Sequence, residues 1–579
     1  MDRFLLNLYL MNCKYFEMCL KFCFFLILFS FAINIEATNY NERYGWPELK
    51  SPSGVIVCSE PESWEENMLL ESLSGLAAQS VNDGRFDKMV WAQIDNISYN
   101  RIFNESLKAL SIDRLEKMDV WELLEYLKKK KVVKGYVLFR REKTRSNKIS
   151  DYSSNVATVY SSLLSGVLIE ESLEDRAKSL GLKKLKDARK ETMSECFNKN
   201  KSKLANTSAL CVHPSVTNMR DYAIAHRLML YADEKALAEE VLEWVRPLSP
   251  ILGWGCGDEF EATSIISEYG HYNTASDWCV NLPFISSAAP YIELCKVNEI
   301  KPEEIDFADS TYVHSYVMSD GDNMQWTIGA FVDNPIYVGS EKLNEIGVSW
   351  TLCPINLSVI SPVSWNEIAK KQGHKNSIIE YGGGYQYPDL FAIKRKNRKE
   401  LIRQFAKRIN VHLKKMDIKI FGALFKDVDS KEAQEAMKIY VEELDGITGM
   451  IAIQYFPYEL GKKVFWYKDR QGNDIPMVTA DFSLWNEVNS HRPNCGTPEY
   501  VSSLINREML GNKNSSYSWT IVHAWSDFSK TSKVSSLPAV GINPIKASEM
   551  LLLDGIRTVS LNELLWRVRM KYHPEQIKN

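Results

Sequence analysis

From Tyr312 onward, short β-branched or aromatic runs alternate with amphipathic stretches, and few folds accommodate that pattern. Strands are expected at Tyr312–Ser319, Gly347–Cys353, Ile378–Tyr381, Ile420–Phe425, Met450–Tyr455, Met477–Ala480, Ser518–Ala524 and Ile556–Val559. Between them, Asn397 to Met416 reads as a helix, with Leu401, Phe405, Ile409 and Leu413 on one face. Ser364-x-x-Glu367 and Ser560-x-x-Glu563 have the form of capping boxes, and Thr497-Pro498 that of a cap followed by proline in the first turn. Eight strands with intervening helices in roughly 275 residues predict a C-terminal (β/α)8-like barrel, with a seven-stranded or distorted barrel as the near alternative.

The preceding chain is also α/β, but in smaller units. Helices are expected over Ser63–Ala78, Val120–Lys130, Ser154–Ser165 and Leu173–Leu180, with strands at Lys88–Ile94, Gly135–Phe139 and Val167–Glu170. No Gly-x-Gly-x-x-Gly accompanies them, so a dinucleotide site is not expected. Tyr222 to Trp244 reads as one helix, and Ile251-Leu-Gly-Trp-Gly-Cys-Gly-Asp-Glu259 as a strand leaving through glycines into acids. The expected units are a signal peptide over 1–37, a small α/β domain over 38–130, a second, Rossmann-like one over 131–215, a third domain of helix and Gly-rich loops over 216–304, and the barrel over 305–579.

In α/β folds chemistry gathers at the carboxyl ends of parallel strands. Here the first strand breaks into Ser319-Asp-Gly-Asp-Asn323, leading to Trp326. Asp320 and Asp322, two apart, would point the same way on extended backbone. About sixty residues on, Ser377-Ile-Ile-Glu380 runs into Tyr381-Gly-Gly-Gly384 and Tyr385-Gln-Tyr387-Pro388. The other strand ends supply Asn356, Asp427, Asp429, Gln454, Glu459, Asp481, Glu487, His523, Trp525 and Asp527. Carboxylates among tyrosines and tryptophans suit glycoside hydrolysis. One acid protonates the leaving oxygen, and a second carboxylate attacks the sugar or activates water. Asp320, Asp322, Glu380 and Asp481 are the candidate catalytic residues. Asn323, Trp326, Tyr385, Tyr387, Trp485, His523 and Trp525 are the candidate substrate-binding residues.

Gly382-x-Gly384-Tyr385-x-Tyr387-Pro388 resembles the signature of the GxGYxYP family of proposed glycoside hydrolases. The Ser319–Asn323 loop, Phe482-Ser-Leu-Trp485 and Val522-His-Ala-Trp-Ser526 also resemble that family. So do Ser154-Asn-Val-Ala-Thr158, Gly253-Trp-Gly255 and Ser276-Asp-Trp278 in its amino-terminal region. The likeness runs from about residue 60 to near the end. It implies a carbohydrate-active hydrolase. Two readings stand beside it: a non-catalytic glycan-binding protein, and a carbohydrate deacetylase using a divalent metal at Asp320 and Asp322 with His523. No His-x-x-x-His or His-Glu-x-x-His supports the metal, and no cofactor is expected. Calcium at Asp320–Asn323 lacks the EF-hand spacing. No Gly-x-Ser-x-Gly points to a serine nucleophile. His314 reads as a core group, and His374, His412 and His573 as solvated.

A net charge of −4 leaves no basic excess for nucleic acid; the strand-end acids and rings, with the resemblance, make a carbohydrate the expected partner. The uncharged run Phe22–Ile35 follows Lys14 and Lys21 and precedes Glu36-Ala37, which predicts a cleaved leader counted from Met1 or Met18. The run is shorter than the ~20 residues of a membrane span, and an uncleaved anchor is the weaker alternative. The expected location is extracellular or the lumen of the secretory or endolysosomal pathway, with no membrane attachment after cleavage. Eight of the 11 cysteines follow the leader and permit disulfides; Cys196–Cys211 and Cys256 with Cys279 or Cys295 are candidates. Sequons at Asn96, Asn104, Asn200, Asn206, Asn356 and Asn514 fit export.

Overall fold

The computed structural model describes residues 43–146, 148–254, 258–486, 492–511, 516–531 and 539–577. The expected leader, Cys256, Glu487 and the Asn514 sequon lie outside them.

Three small parallel sheets come first. Gly54–Cys58 pairs with Lys88–Ala92 and Leu115–Met118; Gly135–Phe139 with Gly166–Glu170 and Lys184–Asp187. The third sheet runs in the order Tyr272–Thr274, Pro250–Leu252, Ala209–Cys211, Met229–Tyr231. That last strand corrects the single helix expected over 222–244. Arg227 adopts φ 55° and ends the helix Arg220–His226, and a second helix begins only at Lys235. Pro362 opens its helix in the first turn, so Ser364 is interior and makes no capping box.

The fourth sheet holds 11 strands. They are β1 (Tyr312–Gly321), β2 (Val348–Leu352), β3 (Ser377–Tyr381), β4 (Ile420–Phe425), β5 (Gly449–Gln454), β6 (Val464–Lys468), β7 (Asp474–Thr479), β8 (Phe482–Leu484), β9 (Cys495–Gly496), β10 (Tyr517–Val522) and β11 (Ile556–Thr558). The order is β6-β7-β5-β4-β3-β2-β1-β10-β8-β9, with β11 against the start of β1. Only Ala480 and Asp481 separate β7, which pairs with β5, from β8, which pairs with β10. The sheet therefore curls. It is a half-barrel rather than eight equivalent strand–helix repeats: β6 is antiparallel, β8 and β9 are short, and β11 meets β1 over Tyr312–His314 alone.

Alternation sorts the strand residues into two buried faces. Val313, Val317, Ile379, Tyr381, Ile420, Leu424, Ile451, Ile453, Trp519 and Ile521 pack together inside the curl. Tyr316, Met318, Trp350, Ile378, Phe421 and Met450 belong instead to the large core that also takes in the amino-terminal sheets.

Several expectations meet different surroundings. Cys196, Cys279 and Cys295 carry free thiols, so none of the disulfides expected of them is formed. Asn200 and Asn356 are buried and donate to Cys196 O and Thr274 Oγ1, so neither amide is exposed in the folded protein as a glycan-bearing sequon would be. His314 is a satisfied core group between Ser518 and Thr520. His412, expected in solvent, is buried against Ser358 and the Tyr44 ring. Among the described residues no helix is long and apolar enough to cross a membrane.

Candidate active site

At the carboxyl ends of β1, β3, β4, β5 and β10 lies a cavity of about 290 Å³. Its carboxylates are Asp320, Asp322 and Glu259; its aromatic wall includes Trp254, Tyr381, Tyr385, Tyr458, Trp485, His523 and Trp525.

The acids are placed by a distortion rather than by regular extension. The register of β1 against β2 slips between Met318 and Gly321, and Asp320 takes φ 69°. Gly321 makes the slip feasible: a Cβ there would stand 1.9 Å from Thr351 O. Asp320 and Asp322 both reach the cavity, but across a bulge and not along the extended segment expected. Asp320 Oδ2 accepts from Ser319 Oγ and, at 3.4 Å, from Ala524 N, and lies 3.9 Å from His523 Nε2. Burial, then the neighbouring Asp320 and Glu259, push the Asp322 carboxyl up to about 8. Glu259 begins the helix Glu259–Glu268, capped by Asp258. Burial raises its carboxyl too, while the Tyr385 hydroxyl donates to Oε1 and opposes the rise.

One wall is a stack of three rings. Tyr458 lies on Trp485 at 4.2 Å and 8°, and Trp485 on His523 at 3.9 Å and 6°. His523 Nδ1 meets Ser526 Oγ at 2.8 Å. Burial lowers the imidazole's pKa and Asp320 partly offsets that, so the ring is neutral at neutral pH. Trp525, 46% exposed, forms the rim and rests on Trp326 with centroids 4.4 Å apart.

The GxGYxYP loop is held from behind. Gly382, Gly383 and Gly384 take φ of 77°, 73° and 119°. A Cβ on Gly383 or Gly384 would strike the Tyr44 hydroxyl or the Tyr272 ring. Tyr44 donates to Gly383 O at 2.7 Å, and Asn273 and Tyr385 exchange backbone hydrogen bonds of 2.8 and 3.0 Å. Tyr385 is thereby pinned at the cavity edge. Tyr387, buried against Phe260 and Tyr455, does not line it.

Of the candidates read from sequence, Asp320, Asp322, Asn323, Tyr385, Trp485, His523 and Trp525 meet here, whereas Trp326 stands behind Trp525. Glu380 is not among the lining residues. Strand alternation turns Ile379 and Tyr381 inward and Glu380 to the other face, where Ile355 N donates to Oε2 at 2.9 Å. Burial pushes Glu380 up to about 8. Asp481 is also remote: it exchanges hydrogen bonds with the Trp519 backbone where β7 gives way to β8. Of the other strand-end residues, Asn356 is buried, Glu459 pairs with Arg492 at 3.1 Å, and Asp427, Asp429 and Asp527 are surface groups. Sequence reasoning left out Trp254, Glu259, Tyr381 and Tyr458. Trp254 and Glu259 sit in the stretch where a strand leaves through glycines into acids, which was their visible signal. Among the described residues no group of His, Cys, Asp and Glu is arranged to hold a metal ion.

Fold and site thus define a mixed α/β protein in which a curled, largely parallel sheet presents acids and aromatic rings at its strand ends. Three family models match in series: "GxGYxYP_N second domain" over 133–207, "GxGYxYP third domain" over 206–287, and "GxGYxYP putative glycoside hydrolase C-terminal domain" over 310–537. The chain belongs to the GxGYxYP family. Its fold is similar to that of a crystal structure described as a "putative hydrolase" from Bacteroides thetaiotaomicron, with a TM-score of 0.75 and 17% identity, covering 91% of this chain and 97% of that one. A domain of unknown function from Bordetella bronchiseptica aligns at a TM-score of 0.13 and 10% identity, over 74% of this chain and 94% of its own, too low to relate the folds. No curated protein matches the chain significantly.

Proposed function

We propose that this protein is an exported glycoside hydrolase whose catalytic domain, barrel-like from about residue 305, works with the amino-terminal α/β units beside it. The observation that carries the reading is the pairing of Asp322 with Asp320 in a cavity walled by aromatic rings. Asp322, with its carboxyl pushed up to about 8, is protonated at neutral pH and is the general acid. Asp320, receiving hydrogen bonds from Ser319 and Ala524, is the second carboxylate, the nucleophile or the base. The rings offer faces on which a sugar stacks.

The test compares leaving groups. With a glycan identified by screening, Asp322→Asn lowers kcat by about 10²–10⁴. On an aryl glycoside with an acidic phenol, which departs without protonation, the loss is much smaller. Asp320→Asn is impaired on both. Full activity of both variants on both substrates overturns the assignment. A chain that binds glycans and releases no product is a binding protein.

A further inference from the structure

We infer that the cavity admits one terminal sugar ring and selects it by charge, favouring a ring with a protonated amine, then a neutral ring, and rejecting uronic acids. The inference rests on the glycoside hydrolase reading and narrows its substrate class. At about 290 Å³ the space stands at the lower end of small-molecule pockets, roughly 300–1,000 Å³, which suits one ring rather than an oligosaccharide.

Its lining holds Asp320, Asp322 and Glu259, and no lysine or arginine among the described lining residues. His523 brings no fixed charge, since burial keeps it neutral at neutral pH. A uronate carboxylate entering this space would meet Asp320 and Glu259 and no lysine or arginine, and like charges brought together out of water oppose binding strongly. A protonated amine meets the reverse: acceptor oxygens in a desolvated site, where charge-assisted hydrogen bonds are strong. Glu259 is the natural anchor, because Asp320 and Asp322 are committed to the bond being cleaved and Tyr385 already orients its carboxylate.

The experiment measures competitive binding to the full chain at neutral pH by ligand-observed NMR. The ligands are the gluco, galacto and manno sugars, each as the neutral hexose, the 2-amino-2-deoxy sugar and the uronate; the same samples are scored for sugars released from glycans. For any epimer that binds, the amino sugar should lead and the uronate should trail its neutral parent by about tenfold or more. Glu259→Gln should shrink the amino sugar's advantage by about tenfold and leave the neutral sugar nearly unchanged. A uronate that binds as well as its neutral parent, or a uronic acid as the released sugar, overturns the inference while the hydrolase reading stands. Absence of both binding and release, for every sugar and glycan, removes the hydrolase reading and this inference together.

Discussion

Asp322 connects a single side chain to a measurable pH profile. Its folded-state carboxyl lies at about 8, above the roughly 3.9 of an exposed aspartate, because the cavity removes water and Asp320 and Glu259 lie close by. A general acid works only while protonated, so kcat/KM should fall as pH rises through about 8, and Asp322→Asn should erase that limb. Substrates that need no leaving-group protonation should show it weakly. A limb equally steep in the Asn variant would assign the titration to another group. Tyr385→Phe tests the neighbouring contact. It removes the hydroxyl that donates to Glu259, so the Glu259 carboxyl rises further. The expected loss of amino-sugar affinity is about tenfold, with the fold retained.

The element that decides site geometry is the glycine loop after β3. Gly384 at φ 119° faces the Tyr272 ring, with a Cβ contact of 2.2 Å waiting for any larger residue. Gly384→Ala should therefore cost about 1–3 kcal/mol in unfolding free energy, or more if Tyr272 cannot give way. It should lower activity further than that stability loss explains, since Tyr385 is the next residue; denaturant melts and kinetics on one sample check both. Much of this element was legible in sequence. A glycine triplet before paired tyrosines implies unusual dihedrals and close approach, and all three glycines have positive φ. The strand positions were legible too, because β1 to β5, β7 and β10 are short apolar runs at regular intervals. The facing was harder. Glu380 was read as a site residue because it ends a strand, but side-chain parity on that strand sends Tyr381 inward in its place. Parity depends on register, and register is fixed by neighbours far away in the chain. The bulge at Ser319–Asp320 was hidden for the same reason, as Gly321 is required by Thr351 of β2. Tyr387 failed similarly: the tyrosines alternate, and the packing of Phe260 and Tyr455 decides which is wall and which is support.

At the scale of the whole molecule, buried titratable groups set how stability varies with pH, and two sets oppose each other. Burial pushes Glu299, Asp322 and Glu380 up to about 8, and Asp221 and Asp481 up to about 7. In the unfolded chain these acids release their protons near pH 4, whereas the folded protein holds them to pH 7 or 8. Across that window the unfolded state binds fewer protons, so each group lowers stability as pH rises, by up to about 1.4 kcal/mol per pH unit. The second set is His226, His314 and His412, pulled down to about 3, and His271, pulled down to about 4, in each case by burial. From there to about 6.5 the unfolded chain binds the proton and the folded one does not, so these groups raise stability as pH rises. Between pH 4 and 6.5 these histidines offset most of the effect of these acids, leaving about one acid's slope. Above 6.5 the histidines contribute no further slope and the acids act alone until pH 8. Stability should therefore decline gently from about pH 5 to 6.5 and fall more steeply, by several degrees in Tm, between pH 6.5 and 8. Below pH 4 it should fall again, as Glu142, Glu174 and Asp187, held at about 2 by hydrogen bonds and ion pairs, become protonated. Calorimetry across pH 3–9 reads this directly. Glu380→Gln, which keeps an acceptor for Ile355 N and stands apart from the cavity lining, should flatten the alkaline decline by one group's share and leave the activity profile in place. A Tm that climbs from pH 6.5 to 8 would mean that these acids are ionised in the folded protein.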